Sequence, residues 1–501
     1  MVEQVHVSVV GPGNLSIGWA STEKAPLEFQ ELDQQQQPLG EIKSISPESD
    51  RYELLCGERF ALDSPCALRT RYRSPLLLQA RVSLEPGKSF RFRLHPGPTD
   101  WRVQRVPPAP GAAVLRVAMV GDLGQTNFSA ATCQSIRAHA NELDMGVILG
   151  DLAYADSNAS RWDSFQRLFD LQGCADIPWL VLPGNHEIEP DDLSGEAFVP
   201  YRKRWRTPEA KPEEVTNDTK VISWHRYDLR CRYNFGSSWY AFSAGPAHFV
   251  ALNPYTEASP DAAQIQWLRE ELMKVRRTTT PFLVVLTHAP WVHSSRVHQP
   301  QTEMATFHLR SSAEPLLSTM DLMFSGHVHA YERSKPVDGV QHFVLGHGGN
   351  NEKLYNRWQQ SAVSAFRSGD HYGWGLLTLE GSEGHWRALR SVDGAVVDSI
   401  SLAARRMPDL AADLAAGDSA AAAAASVLVC LKILPRRPST AVFSPESGRL
   451  SSSSPETVVK SLGRTSKCRS TQPTRAHQRC APLKKASLRP RGCVQRSETG
   501  S

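Results

Sequence analysis

Seven apolar runs of strand length recur between Leu115 and Leu345: Val117-Ala-Met-Val120, Val147-Ile-Leu149, Trp179-Leu-Val-Leu182, Phe249-Val-Ala-Leu252, Phe282-Leu-Val-Val-Leu286, Leu322-Met-Phe324 and Phe343-Val-Leu345. A strand that is apolar at every position needs cover on both faces. Helical patterns lie between several of these runs. Ala130–Leu143 is one, and 261–277 is another, with Ile265, Leu268, Leu272 and Val275 on one face and Asp261 placed as an N-terminal cap or first-turn residue. The segment 309–320 reads as a further, less regular helix. Buried strands alternating with helices predict an α/β domain around a largely buried sheet.

The residues at which five of the runs stop carry the chemistry. Val120 is followed by Gly121-Asp122, Leu149 by Gly150-Asp151-Leu-Ala-Tyr154, and Leu182 by Pro-Gly184-Asn185-His186-Glu187. Leu286 is followed by Thr287-His288, and Phe324 by Ser-Gly326-His327-Val-His329. One Gly-Asp after a strand is ordinarily a turn. Five such turns, each presenting Asp, Asn, His or Tyr, predict a dinuclear metal site, because ligands gather at the carboxyl ends of strands in open α/β sheets. Asp151 has two oxygens and can bridge. Mixed oxygen and imidazole donors suit Fe, Mn or Zn rather than a Ca²⁺ cage. The phenol of Tyr154 favours a hard ion, Fe³⁺. Two metals about 3.5–4 Å apart clamp an in-line displacement at phosphorus.

The flanking segments differ in kind. Residues 1–105 read as all-β: Ser89-Phe-Arg-Phe-Arg-Leu94 alternates cleanly, Val5–Val9, Leu15–Trp19 and Leu78–Leu84 partly so, and Gly-Pro turns separate them. A small β-sandwich is the expectation. Val106-Pro-Pro-Ala-Pro-Gly111 reads as a linker to a domain spanning 106–402. Residues 403–501 are rich in Ala, Ser and Arg with little to bury, which predicts disorder. Their apolar stretch, Ser419 to Leu434, is shorter than the about 20 residues of a spanning helix, so no membrane span is expected. The tail holds 17 of the 56 Lys/Arg and 6 of the 52 Asp/Glu, leaving 39 basic and 46 acidic residues in 1–402. The folded part is therefore mildly acidic, and no nucleic-acid partner is expected.

None of the nine cysteines forms a CxxC pair, which argues against a zinc ribbon or thioredoxin-type site. Sequons at Asn14, Asn127, Asn158 and Asn217 point toward a secreted glycoprotein. The opening Met-Val-Glu-Gln-Val-His-Val has no signal-peptide pattern, so the expectation is either an intracellular protein or an incomplete N-terminus.

Asp122, Gly150-Asp-Leu-Ala-Tyr154, Gly184-Asn-His-Glu187, His288 and Gly326-His-Val-His329 together resemble the five-block signature of the purple acid phosphatases among the calcineurin-like metallophosphoesterases. Gly346–Asn350, Phe366–Gly375 and the N-terminal segment extend the resemblance to the plant-type, two-domain members and to about residues 1–402. It implies a fibronectin III-like sandwich, then a metallophosphoesterase domain of mixed sheets flanked by helices around a βαβαβ core. By resemblance, Asp122, Tyr154 and His329 hold Fe³⁺, while Asn185, His288 and His327 hold a divalent Fe, Zn or Mn, and Asp151 bridges. His186 resembles the family's phosphate-contacting, proton-donating histidine, and His298 falls where plant-type members carry another.

The implied activity is acid phosphatase hydrolysis of small-molecule phosphate monoesters with metal-bound hydroxide as nucleophile. Phosphodiester or pyrophosphate hydrolysis at the same site is the alternative, and a non-catalytic binding protein a further one. A secreted or vacuolar location and a homo-oligomer are compatible with the family. Two positions depart from it: Val297 stands where relatives often have a second histidine, and His347 where Asp is common.

Overall fold

The apolar runs form strands, and the two sheets they build explain why those strands lack alternation. In the computed structural model of the 501-residue chain, the described residues are 2–55, 71–95, 100–191, 194–208, 220–222, 228–233 and 236–405. They lie in a compact unit spanning Met1–Pro435; a second unit, Arg436–Ser501, lies outside the described residues.

One sheet has ten strands, in the order Val396–Ala403, Glu383–Arg390, Gly373–Glu380, Val114–Val120, Met145–Ile148, Trp179–Val181, Val2–Gly11, Asn14–Ser21, Leu76–Ser83 and Glu48–Asp50. The other has seven, in the order Tyr240–Ala244, Ala247–Leu252, Phe282–Thr287, Leu322–Ser325, Gln341–Leu345, Tyr331–Ser334 and Ser364–Ser368. Their centres are parallel: Val114–Val120 with Met145–Ile148 and Trp179–Val181, and Ala247–Leu252 with Phe282–Thr287, Leu322–Ser325 and Gln341–Leu345.

Each central strand feeds two cores. Val117, Met119, Val147 and Leu149 meet Phe249, Val284, Leu286 and Phe324 in one buried cluster between the sheets. The intervening Ala118, Val120 and Ile148 face outward, where Cys133 and Ile136 of helix α1 (Asn127–Arg137) and Trp162 and Phe165 of α2 (Ser160–Leu171) cover them. A short α3 follows at Val199–Arg204. On the second sheet Val250, Leu252, Leu283 and Val285 pack with Ile265 and Leu268 of α4 (Ala263–Leu272) and Leu309 of α5 (Met304–Ala313). Each fully buried Val or Leu contributes about 1.5–3 kcal/mol, and this two-sided burial fixes the strand positions.

The first 105 residues divide between the ten-stranded sheet and a separate four-stranded sheet, ordered Arg102–Arg105, Ser89–Leu94, Leu27–Leu32 and Pro38–Ile45. Phe90, Phe92 and Leu94 alternate inward as their spacing predicts. Val2–Gly11 is buried almost throughout because its second face is also covered: the His6 ring lies 4.5 Å from that of Trp205, and His6 Nε2 bonds the Arg204 carbonyl at 2.7 Å. This strand runs parallel to Trp179–Val181, in register at Ser8 and Trp179, so the sheet carrying the first three Asp- and Asn-bearing loops continues into the N-terminal strands.

Helix boundaries depart from the sequence pattern. α1 begins three residues before Ala130, because Thr126 Oγ1 caps it by accepting from the Phe128 and Ser129 amides, and it stops at Arg137 rather than Leu143. Asp261 does not cap α4; Ala262 holds the N-cap position without a side-chain bond. The helix expected over 309–320 lies at Met304–Ala313, and turns then carry Leu317 and Met320 into the core. A disulfide between Cys133 and Cys174, with Cα atoms 4.8 Å apart, ties α1 to the turn before Trp179.

Of the segment 403–501, Ala403 ends the last strand and the Arg405 amide donates to Asp321 Oδ1 at 2.6 Å; residues 406–501 lie outside the described residues, as does the Asn217 sequon. Among the described residues no helix is long and apolar enough to cross a membrane.

Candidate metal centre

All five loops leave the carboxyl ends of parallel strands and meet where the two sheets converge. Asp122, Asp151, Tyr154 and His327 sit in the left-handed region, at φ 56°, 54°, 48° and 66°. Each costs about 1–3 kcal/mol relative to ordinary backbone, a strain that persists only where surrounding structure enforces it. Two glycines make the convergence possible. A Cβ on Gly184 would lie 2.0 Å from Asp151 Oδ1, and one on Gly326 would lie 2.4 Å from Asp122 Oδ2.

The Asp122 side forms one group of donors. Tyr154 OH lies 3.0 Å from Asp122 Oδ1 and 3.1 Å from His329 Nε2, which is itself 3.3 Å from Asp122 Oδ1. His329 Nδ1 donates to the Lys353 carbonyl at 3.1 Å, which turns the Nε2 lone pair inward. All three side chains are buried.

The Asp151 side forms a second group. His288 Nδ1 donates to the Leu149 carbonyl at 2.6 Å, again leaving Nε2 as the inward donor atom. That Nε2 lies 3.1 Å from Asp151 Oδ2, yet the two atoms, both buried, make no hydrogen bond with each other or with any other group. Ligand atoms of Asp151, His288 and His327 lie within 4.8 Å of one another. A buried carboxylate and two buried imidazoles converging this closely make a donor set that fits a metal cation. Asn185 is buried beside this group, but its Oδ1 accepts from Tyr255 OH at 3.3 Å rather than from any other predicted ligand.

The electrostatics agree. Burial pushes Asp122 and Asp151 toward protonation, but His288 and the other imidazoles outweigh it and hold both below the usual carboxylate range. Burial works against a charged His186, yet Asp151, Asp156 and Glu352 raise it to about 10. His288 is raised to about 9 against burial, mainly by Asp151 and Asp122. Burial lowers His327 to about 4 despite Glu303. Burial and then Asp122 push the Tyr154 phenol well above its ordinary value.

His186 and His298 stand on opposite rims. The His186 ring lies 4.2 Å from that of Tyr154; its Nδ1 bonds Asp156 Oδ1, and its Nε2 lies 3.8 Å from Asp151 Oδ2. The His298 ring lies 4.0 Å from that of His327, so the structure brings His298 to the centre rather than leaving its loop elsewhere. The Val297 amide donates to Ser295 Oγ at 3.1 Å. His347 is fully buried against Tyr331, at 5.5 Å between rings.

Three carboxylates carry duties the sequence did not reveal. Glu187 accepts from the amides of Gly184, Asp151 and Leu152 at 2.8, 2.8 and 2.9 Å, locking two ligand loops together. Burial and Asp151 raise it to about 8, with the amides opposing. Glu303 Oε1 lies 2.8 Å from His327 Nε2 and 3.2 Å from His298 Nδ1. Asp156 orients His186. Only Glu187 had a sequence signal, as the last residue of its block.

Comparison with known proteins follows the same lines. The calcineurin-like phosphoesterase family matches residues 115–331, and the iron/zinc purple acid phosphatase-like protein C family matches 339–399. Purple acid phosphatase 22 of Arabidopsis thaliana is 35% identical over 296 residues, 57% of this chain and 62% of that relative. Purple acid phosphatase 18 of the same plant is 31% identical over 395 residues, 76% of this chain and 79% of that relative. The solved structure of the purple acid phosphatase PPD1 from yellow lupin seeds shares the fold, with a TM-score of 0.62 at 21% identity over 80% of this chain and 74% of that one. With strand ends, ligand loops and relatives in agreement over most of its described length, this chain belongs to the purple acid phosphatase family.

Proposed function

We infer that this chain hydrolyses phosphate monoesters at a centre of iron and a divalent metal, the cofactor pair of its family. The observation that carries the reading is the buried, unpartnered pair Asp151 Oδ2 and His288 Nε2, with His327 completing the group. Asp122, Tyr154 and His329 would hold the iron, Asn185, His288 and His327 the divalent ion, and Asp151 both. When bound, the pair supplies Lewis-acid polarisation of the phosphoryl group and acidifies water to the point of attack on phosphorus.

The chain's own groups do the rest. Asp156 holds His186 at Nδ1 and so aims Nε2 into the centre, where the charged imidazole binds a phosphoryl oxygen and passes its proton toward the leaving alkoxide. His298 performs the same service from the opposite rim, oriented by Glu303. The His186 amide, donating to Asp151 Oδ1 at 3.0 Å, and the Glu187 carboxylate keep the loops from spreading as charge builds up. Loss of general-acid help is worth typically about 10²–10⁴-fold.

The test is metal analysis of purified protein beside its turnover of 4-nitrophenyl phosphate from pH 4 to 8. Bound iron plus a divalent metal and turnover greatest on the acid side support the reading. Metal-loaded protein that leaves the ester intact overturns it.

A further inference from the structure

We propose that Arg296, Arg357 and Arg367 form a subsite for a second phosphate carried on the leaving group, so that this chain favours phosphate esters bearing more than one phosphate; the proposal rests on the phosphatase reading above. Pairing of two segments next to the metal centre sets Arg296 across from Arg357, and Arg367 packs beside that pairing. The Arg296 amide donates to the Arg357 carbonyl at 2.9 Å, and Ser295 bridges to Trp358. Arg367 comes from the strand Ser364–Ser368; its guanidinium stands 5.1 Å over the Trp358 ring and bonds Ser294 Oγ at 2.6 Å and the Gln359 carbonyl at 2.9 Å.

The patch begins where the centre ends. Arg296 precedes His298 by two residues, a reach of at most about 7 Å along the chain, and the His298 ring lies 4.0 Å from that of His327. On the second segment, Tyr355 stacks on His329 with ring centroids 4.5 Å apart and lies 5.9 Å from His298. The arginines therefore extend outward from the His298 rim of the centre.

Their charge is uncommitted. Among the described residues no ion pair engages any of the three, and no hydrogen bond engages the Arg357 side chain. Arg296 uses only Nε, on the Trp358 carbonyl at 2.9 Å, leaving its terminal nitrogens available. Arg296 and Arg357 are exposed, Arg367 half-buried. Like charges directly opposite on paired segments, as Arg296 and Arg357 are, repel one another, and a dianion relieves that repulsion. Planar guanidiniums suit phosphate oxygens through paired N–H donors. The acid at the mouth, Glu352, precedes Arg357 by five residues and lies 3.7 Å from His186 Nε2 and 4.0 Å from His329 Nε2. The arginines also supply positive charge beside Val297.

The experiment compares kcat/KM for fructose 1,6-bisphosphate, fructose 6-phosphate, inorganic pyrophosphate and 4-nitrophenyl phosphate, in wild type and in Arg296→Gln/Arg357→Gln, both metal-loaded. The doubly substituted protein is expected to lose about tenfold on fructose 1,6-bisphosphate through KM, and less than about twofold on fructose 6-phosphate and 4-nitrophenyl phosphate. Raising salt should weaken the wild-type preference and leave the variant unmoved. A matching loss on pyrophosphate assigns the subsite to a directly linked phosphate; a loss on the bisphosphate alone assigns it to a distant one. Equal losses on all four substrates, or none on any, overturn the subsite while leaving the phosphatase reading intact. Metal-loaded wild type inert toward 4-nitrophenyl phosphate overturns the phosphatase reading and the subsite with it.

Discussion

Asp151 uses its two carboxylate oxygens differently. Oδ1 accepts the His186 amide, and Oδ2 faces His288 Nε2 at 3.1 Å. Asp151→Asn keeps the shape but loses the charge, and the expected outcome is loss of both metals by elemental analysis with the near-ultraviolet circular dichroism retained. Tyr154→Phe should abolish the visible charge-transfer band of the iron-loaded protein while sparing much of the turnover, since the proposed role of the phenol is to hold iron rather than substrate. Glu187→Gln tests a residue no ligand inventory would include. Its carboxylate accepts three backbone amides, so the amide variant should weaken metal affinity by about 10–100-fold, measured by competition with a chelator. The candidate ligands were legible because each follows an apolar run, a local pattern. Glu303 was not, since it reaches His327 across 24 residues of chain from the start of a helix, and nothing local marks it.

Helix α1 shows what periodicity reads and what it omits. The spacing of Cys133 and Ile136 locates the buried face, but the start is set by Thr126, which satisfies the first free amides and ties the helix to Gly349 through a 2.5 Å bond to its carbonyl. Thr126→Ala should cost about 1 kcal/mol, and a drop in Tm of about 2–4 °C by calorimetry would register it. The same limit explains α4. Its apolar face was legible, whereas the cap expected at Asp261 was not made, because the first helical residue comes two positions later. Strands fared better. Burial on both faces leaves an unbroken apolar run with no ambiguity of face, and every one of the seven runs lies in or overlaps a strand. The four-stranded sheet was legible only in Ser89–Leu94, whose alternation survives because one face alone is covered.

Across the whole molecule, two buried groups set how the fold responds to acid and to mutation. Burial, with Arg310 adding to it, lowers His342 to about 3. It is neutral in the folded protein but protonates once unfolded below its ordinary value of 6.5, so acid favours the unfolded chain between pH 6.5 and about 3. Each pH unit in that window costs up to about 1.4 kcal/mol from this group, and His342→Gln should flatten the fall of Tm between pH 6.5 and 4. Arg204, fully buried on α3, joins Gln4 and Tyr52 to Asp163 of α2 through bonds of 2.8, 2.8 and 2.7 Å. Arg204→Met leaves that partly buried carboxylate with Tyr72 OH but without its cation, and an expected loss of about 3 kcal/mol is readable as a lower urea midpoint. The pairing of Val2–Gly11 with Trp179–Val181 has a consequence for modularity. The Pro-rich stretch at 106–111 looks like a seam, yet the neighbouring strand of the ligand sheet comes from the far side of it. A fragment starting at residue 106 would bare the edge of Trp179–Val181, just ahead of Asn185 and His186, and offer it to any other open strand. A graft of a foreign N-terminal segment at that stretch must therefore carry the edge strand's register along with it, so the two halves are exchangeable only as one block.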